Sequence, residues 1–203
     1  MKNLIIYGAG GHAKSVLDSL DRELYNLSGF IDNFKSGTFL DKPIFDDSFL
    51  DSEESKNYCY FVAIGDNHKR NDIFGILQKK QLEIINIIDK SAIISSSAKY
   101  GVGCFFGKQS IVNAYANIGD NAIINTRALV EHECSIGKSC HISTNTVLNG
   151  GTSIGKLCFI GSSSVVIGQL SIGEDTIVGA GAVVIDNLDK SSVYVGIPAK
   201  KIK

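Results

Sequence analysis

The stretch ALVEHECSIGKSCHISTNTVLNGGTSIGKLCFIG, residues 128–161, decides how the chain folds. An aliphatic residue returns at every sixth position, at Val130, Ile136, Ile142, Leu148, Ile154 and Ile160. A small residue follows four positions after each, at Cys134, Cys140, Thr146, Thr152, Cys158 and Ser164. Outward from this stretch the pattern holds from Ile88 to Val184, where all 17 sixth positions are apolar. The small phase runs from Ala92 to Leu188 and is broken only by Leu170 and Leu188. An α-helix cannot keep a six-residue repeat on one face, and an alternating strand would need turn residues at irregular intervals. A triangular coil satisfies both phases: each six-residue unit is a short strand plus a corner, and three units make a turn of about 18 residues. The aliphatic and the small side chain then both point into a prism. About five to six turns fit between residues 86 and 188. Glycine directly after the aliphatic position, as at Gly101, Gly119, Gly137, Gly155 and Gly173, is expected at corners with unusual backbone angles.

The small phase also explains four of the five cysteines. Cys104, Cys134, Cys140 and Cys158 all fall on it, where a thiol packs as a small hydrophobe. With Cys59 the count is odd and no CxxC pair occurs, which argues against a disulfide framework. Lys+Arg number 20 against 21 Asp+Glu, so the usual electrostatic motive for nucleic acid or an acidic membrane is missing and small-molecule partners are expected. The N-terminal apolar run is too short for a signal peptide, and no run of about 18 apolar residues follows. A cytoplasmic protein without membrane insertion is the expectation.

Residues 1–85 have a different rhythm. Leu4 to Tyr7 reads as a strand, Gly8 to Ala13 as a turn, Ala13 to Leu20 as a helix, Leu27 to Asp32 and Tyr58 to Ile64 as strands, and Asn71 to Lys80 as a second helix. Strands alternating with helices imply a short Rossmann-like α/β domain with a parallel sheet over 1–85. Residues 86–203 then form the β-helix domain and a C-terminal tail.

Gly8-x-Gly10-x-x-Ala13, after a strand and opening a helix, has the form of a dinucleotide fingerprint, and Asp32 ends the second strand where a ribose-binding acid would sit. So short a domain offers one mononucleotide-sized half, which suits a nucleotide-sugar better than a nicotinamide. The alternative is that the glycines only pack the first helix on the sheet. In the coils, His132 with its neighbour Glu133 can act as a base at neutral pH. Gly150, 18 residues on, would stack above His132 without a side chain in the way, leaving a free N–H as donor to an oxygen that gains negative charge. His141 lies half a turn away and is expected to face the same groove from a neighbouring subunit.

The segments LIIYGAGGHAKSVLDSL, GFIDNFKSG, AIGDN, INIIDKSAI, INTRALVEHECSIG, HISTNTVLNG and VGIPAKKIK together resemble the sialic acid O-acetyltransferase (NeuD) family of hexapeptide-repeat sugar acyltransferases, which includes the bacillosamine-pathway N-acetyltransferases. The resemblance implies a left-handed parallel β-helix, acetyl-CoA as co-substrate with no metal, and a homotrimer with active sites between adjacent prisms. It implies His132 as general base and Glu133 as its orienting partner. Acetyl-CoA would lie along the later turns, touching His141, Gly150, Gly179, Ala180 and the tail residues Gly196, Pro198 and Lys200. The sugar or nucleotide-sugar would be held by Gly8, Gly10, Gly11, His12, Asp32, Asn33, Gly65 and Asn67. O-acetylation of free or CMP-linked sialic acid is the first expectation and N-acetylation of a UDP-4-amino sugar the alternative. A non-catalytic β-helix scaffold is the rival class, disfavoured because a scaffold needs no base facing an N–H. A zinc enzyme on the same fold would require three histidines near an interface, whereas the coils hold only His132 and His141, with His12 and His68 in the first domain.

Overall fold

The computed structural model describes residues 1–203. The apolar runs at its start become a six-stranded sheet. In chain order the elements are β1 (Lys2–Tyr7), α1 (Gly11–Asp18), β2 (Tyr25–Ile31), β3 (Thr38–Phe39), β4 (Lys42–Phe45), β5 (Cys59–Val62), α2 (Asn67–Lys79) and β6 (Glu83–Ile84). The sheet order is β3-β4-β2-β1-β5-β6, parallel except for the β3–β4 hairpin. Leu4 to Tyr7 and all of β5 are buried, as expected for strands covered on both faces. After β4 the chain crosses to the other side of β1, so the strand order reverses there and a crevice opens at the carboxyl ends of β1, β2 and β5. Both helices start earlier than the sequence pattern suggests. For α2 the reason is a cap: the Asp66 carboxylate accepts from the N–H of Lys69 at 2.9 Å, adding a turn before Asn71.

From Ile87 onward the chain winds as a left-handed parallel β-helix with three flat faces. The first face stacks Ile87–Ile88, Phe105–Phe106, Ile123–Ile124, His141–Ile142, Phe159–Ile160 and Ile177–Val178; the second runs from Ile93–Ile94 to Val183–Val184; the third from Lys99–Tyr100 to Ser171–Ile172. Partners are 18 residues apart throughout, as in Phe106↔Ile124 and Ile124↔Ile142. From the second turn onward the inward phases are closed to solvent, with Leu170 alone partly open: Phe106, Ile124, Ile142 and Ile160 are 0% exposed, and so are Cys104, Ala122, Cys140 and Cys158. A buried aliphatic side chain contributes about 1.5–3 kcal/mol, so this unbroken ladder is the main source of the domain's stability.

The glycines do a different job from the one expected of them. The left-handed corner residue is two positions further on and is seldom glycine, as at Asn121, Arg127, Glu133, Ser139 and Asn145. The glycines after the aliphatic position stand where turns touch. Every corner leaving the third face has one, at Gly101, Gly119, Gly137, Gly155 and Gly173, and a Cβ at Gly137 or Gly155 would lie 2.5 Å from the nitrogen of Lys156 or Glu174 in the next turn. Corners leaving the second face carry Ser95, Asn113, Glu131, Asn149, Ile167 and Ile185, so that edge has room for side chains.

The sheet domain sits on the first face, where Phe105 and Ile123 join Leu4, Ile6, Ala13 and Val16 in one apolar cluster. The tail extends that face with Val193–Val195 and turns back as Lys200–Lys201, antiparallel to it. The Ala199 N–H donates to the Val183 carbonyl at 2.8 Å, which seats the tail on the last turn.

Candidate active site

His132 lies on the corner leaving the second face, and the turns stacked there place Ala114, His132, Gly150 and Gly168 in one column. The Glu133 N–H donates to the Ala114 carbonyl at 3.0 Å, the Gly151 N–H to the His132 carbonyl at 2.9 Å and the Gln169 N–H to the Gly150 carbonyl at 2.9 Å. The imidazole fills the space above its own turn: a Cβ on Gly150 would stand 2.5 Å from both Cε1 and Nε2. A Cβ on Gly168 would meet the Gly150 carbonyl at 3.0 Å. Gly150 is thus the residue against the ring, and Ala114 and Gly168, which the sequence reading did not single out, continue the same column of small residues below and above. Their signal was an 18-residue spacing on either side of His132 and Gly150. His132 Nδ1 is 3.1 Å from Glu133 Oε2, with both side chains more than half exposed. With the carboxylate on Nδ1, the neutral ring carries its proton there and leaves the Nε2 lone pair open. No acceptor in the chain takes the Gly150 N–H, as is also true of Ala114 and Gly168 in the same column, whereas the His132 N–H donates to Glu131 Oε2 at 3.3 Å.

The predicted sugar-binding residues divide. Gly8 and Gly10 lie in the β1–α1 turn, Gly11 and His12 open α1, Asp32 and Asn33 follow β2, Gly65 follows β5 and Asn67 opens α2, so all lie at the carboxyl ends of three adjacent strands. Gly8 has φ +104, and a Cβ there would press on the Ala63 carbonyl at 2.9 Å, which accounts for glycine at the crossover. A cavity of about 430 Å³ opens beside it, with Gly8, Asp32, Asn33, Tyr7, Asp47 and Lys69 among its lining. Asp32 is largely occupied: its two carboxylate oxygens accept from the N–H groups of Ala9 and Phe34, each at 2.9 Å, fixing the glycine turn. Asn33 and the Tyr7 hydroxyl both bond to Asp47, and burial followed by that bond raises the Tyr7 phenol. Tyr7, Asp47 and Lys69 were not singled out in the sequence, because their common wall comes from three separate segments.

Asn67 requires a correction. Its side-chain Nδ2 donates to the carbonyls of Leu157 at 3.0 Å and Cys158 at 2.9 Å, and its Oδ1 accepts from Arg70 at 2.8 Å. The amide is spent on joining the domains and is only 7% exposed, which leaves none of it for a sugar. For His141 the expectation concerned the groove of a neighbouring subunit. Within one chain it is not in the His132 groove, because it projects from the first face, against the chain's own sheet domain. There its Nε2 accepts from Asn125 Nδ2 at 3.0 Å and its ring meets Phe159 edge-on at 5.1 Å. His12 meets Phe105 in the same way at 5.1 Å. Burial, with the nearby Arg70 cation, lowers His12 to about 4 and His141 to about 3, so both imidazoles are neutral at physiological pH. His12 Nε2 and His141 Nδ1 are buried and have no hydrogen-bond partner in the chain.

Gly179 and Ala180 follow the last strand of the first face, and Gly196, Pro198 and Lys200 lie exposed in the tail that crosses the final turn. All five cysteines are buried and unpaired, and burial pushes Cys104 up to about 12 and Cys59 up to about 11. No three His, Cys, Asp or Glu side chains converge as a metal site would require, and no helix is long and apolar enough to cross a membrane.

Residues 3–77 match the family described as PglD N-terminal domain, and residues 151–186 match the bacterial transferase hexapeptide (six repeats). Among solved structures the chain is similar to a histidine-to-asparagine variant of perosamine N-acetyltransferase from Caulobacter crescentus in complex with CoA and GDP-perosamine. That match has a TM-score of 0.96 and 36% identity, covering 100% of this chain and 98% of the other. The acetyltransferase domain of PglB from Neisseria gonorrhoeae FA1090, in complex with acetyl coenzyme A, matches with TM-score 0.93 and 29% identity over 99% of both chains. WeeI from Acinetobacter baumannii AYE shares the fold, with TM-score 0.89 and 24% identity over 100% of both chains. A curated relative, uncharacterized protein L142 of Acanthamoeba polyphaga mimivirus, is 34% identical over 99 residues; the match takes in 49% of this chain and only 20% of that protein's length.

Proposed function

Because this chain belongs to the hexapeptide-repeat sugar acetyltransferases of the bacillosamine and perosamine type, we propose that it moves the acetyl group of acetyl-CoA to the amine of a nucleotide-linked amino sugar. The observation that carries this reading is the His132 ring, held at Nδ1 by Glu133 and free at Nε2, beneath the side-chain-free Gly150. The sequence put O-acetylation of sialic acid first. Among the relatives, the perosamine enzyme is an N-acetyltransferase bound to CoA and GDP-perosamine and the PglB domain is an acetyltransferase, and this supports the amine alternative instead.

Acetyl-CoA supplies an activated thioester. Its thioester end would lie beside the His132 ring, along the corner where Gly150 and Gly168 add no side chain. Gly179, Ala180, Gly196, Pro198 and Lys200 are the proposed contacts for its nucleotide end, where a lysine has an electrostatic reason to be. His132 Nε2 takes the proton from the amine as its nitrogen bonds to the acetyl carbon and the sulfur departs. Glu133 keeps the ring in the required tautomer and stabilises the imidazolium without itself taking a proton. The Gly150 N–H donates to the oxygen on which charge develops. The nucleotide lies in the crevice of Gly8, Asp32 and Asn33, with the sugar toward a neighbouring prism of a homotrimer. The test is a panel assay of CoA release with GDP- and UDP-linked 4-amino sugars beside free and CMP-linked sialic acid. Turnover on an amino sugar, with an amide in the product, is expected; transfer to sialic acid alone would reject the reading.

A further inference from the structure

We propose that Arg70 is a positioning residue for acetyl transfer, a single buried guanidinium that locks the sugar-side loop of the sheet domain to the prism turn carrying His141. The proposal rests on the acetyltransferase reading above.

Arg70 stands one turn into α2, is 1% exposed and takes part in none of the chain's ion pairs. Burial lowers it to about 10, so it stays a cation at neutral pH. An unpaired buried charge is costly unless its donors are satisfied, and an aliphatic residue would fill the space at less cost. Here every donor is used, and the acceptors fall into two groups. Nη1 donates to the carbonyls of Ile64 and Gly65, both at 3.1 Å, and Nη2 to Asn67 Oδ1 at 2.8 Å; these belong to the loop after β5 that borders the crevice. Nε donates to the Asn121 carbonyl at 3.1 Å, and Nη2 also reaches the carbonyls of Ser139 at 2.8 Å and Cys140 at 3.2 Å, on the prism. Cys140 is the residue before His141.

The same helix turn grips the next two levels as well. Asn67 holds Leu157 and Cys158, and His68 Nε2 lies 2.7 Å from Asp175 Oδ1. Corners 121, 139, 157 and 175, one prism turn apart, are thus each fixed by the start of α2. Only a planar fork of five donors can bridge both groups of acceptors at once, and a lysine ammonium with three cannot. Domain contacts made of apolar side chains alone would allow sliding along the prism axis; this set specifies one register. A misplacement of about 1 Å between reacting groups costs about 100-fold in rate, so the register matters for turnover.

The experiment compares wild type with Arg70→Lys in steady-state kinetics on the best acceptor of the panel, with CoA affinity measured by calorimetry and the folded fraction by circular dichroism. Turnover per folded chain should fall about 10- to 100-fold while CoA affinity is kept. Unchanged turnover per folded chain, or a loss seen only in CoA affinity or folded fraction, overturns the proposal. Should Arg70→Lys fail to fold, Asn67→Ser removes one acceptor of the fork and should show the same split at smaller size; unchanged turnover there overturns it equally. A wild-type chain inactive on every acceptor overturns the proposed function and this inference together, whereas an active wild type with an unaffected Arg70→Lys overturns this inference alone.

Discussion

The ring of His132 occupies the space that a side chain at residue 150 would need, with Nε2 2.5 Å from where a Cβ would stand. Gly150→Ala must therefore push the imidazole aside. The displaced His132 side chain is exposed, so thermal stability should change little, and kcat should fall about 100-fold. A calorimetric scan and steady-state rates check both halves; an unchanged kcat would mean the ring does not work from this position.

The glycine column leaving the third face makes a stability prediction. A Cβ on Gly137 would stand 2.5 Å from the Lys156 nitrogen, backbone against backbone, so Gly137→Ala should cost about 1–3 kcal/mol or more in denaturant unfolding. Ile185→Ala, at an open corner of the second face, should stay within about 0.5 kcal/mol.

These two columns separate what was legible in the sequence from what was not. The six-residue repeat, the 18-residue stacking of Gly150 on His132 and the packed cysteines all follow from periodicity, since a parallel coil converts spacing directly into contact. Contacts between the two domains have no such rule. The family resemblance implied Asn67 as a sugar ligand, yet its amide turns to Leu157 and Cys158. Asp32 stands directly after its strand, one residue beyond the expected place, and its carboxylate serves the backbone N–H groups of Ala9 and Phe34. The corner glycines were visible, but their cause, a neighbouring turn rather than a backbone angle, requires coordinates.

Stability should also fall with acid. His12 and His141 are held at about 4 and about 3, below the usual value of about 6.5. Between pH 6.5 and 4 the unfolded chain binds these two protons and the folded chain does not, so stability drops as pH falls, by up to about 1.4 kcal/mol per pH unit for each group. Unfolding curves at pH 7 and pH 5 should show the loss, and His12→Gln with His141→Gln should flatten it. An unchanged slope in the double variant would assign the effect to other groups.

Transfer should be direct. All five thiols are buried, and each donates to a backbone carbonyl rather than to a side-chain base that would activate it. Double-reciprocal plots should intersect, and acetyl-CoA alone should leave no acetyl group on the protein. Parallel lines or a trapped acetyl-enzyme would contradict this.

The most direct measurement is the turnover of His132→Ala on the best amino-sugar acceptor, with Glu133→Gln beside it and CoA affinity measured on each. A positioned imidazole supplies about 10² to 10⁴ in rate, so His132→Ala should lose that much in kcat with CoA binding nearly unchanged, and Glu133→Gln should lose less. A His132→Ala variant that keeps near wild-type kcat would contradict the assignment of His132 as the base.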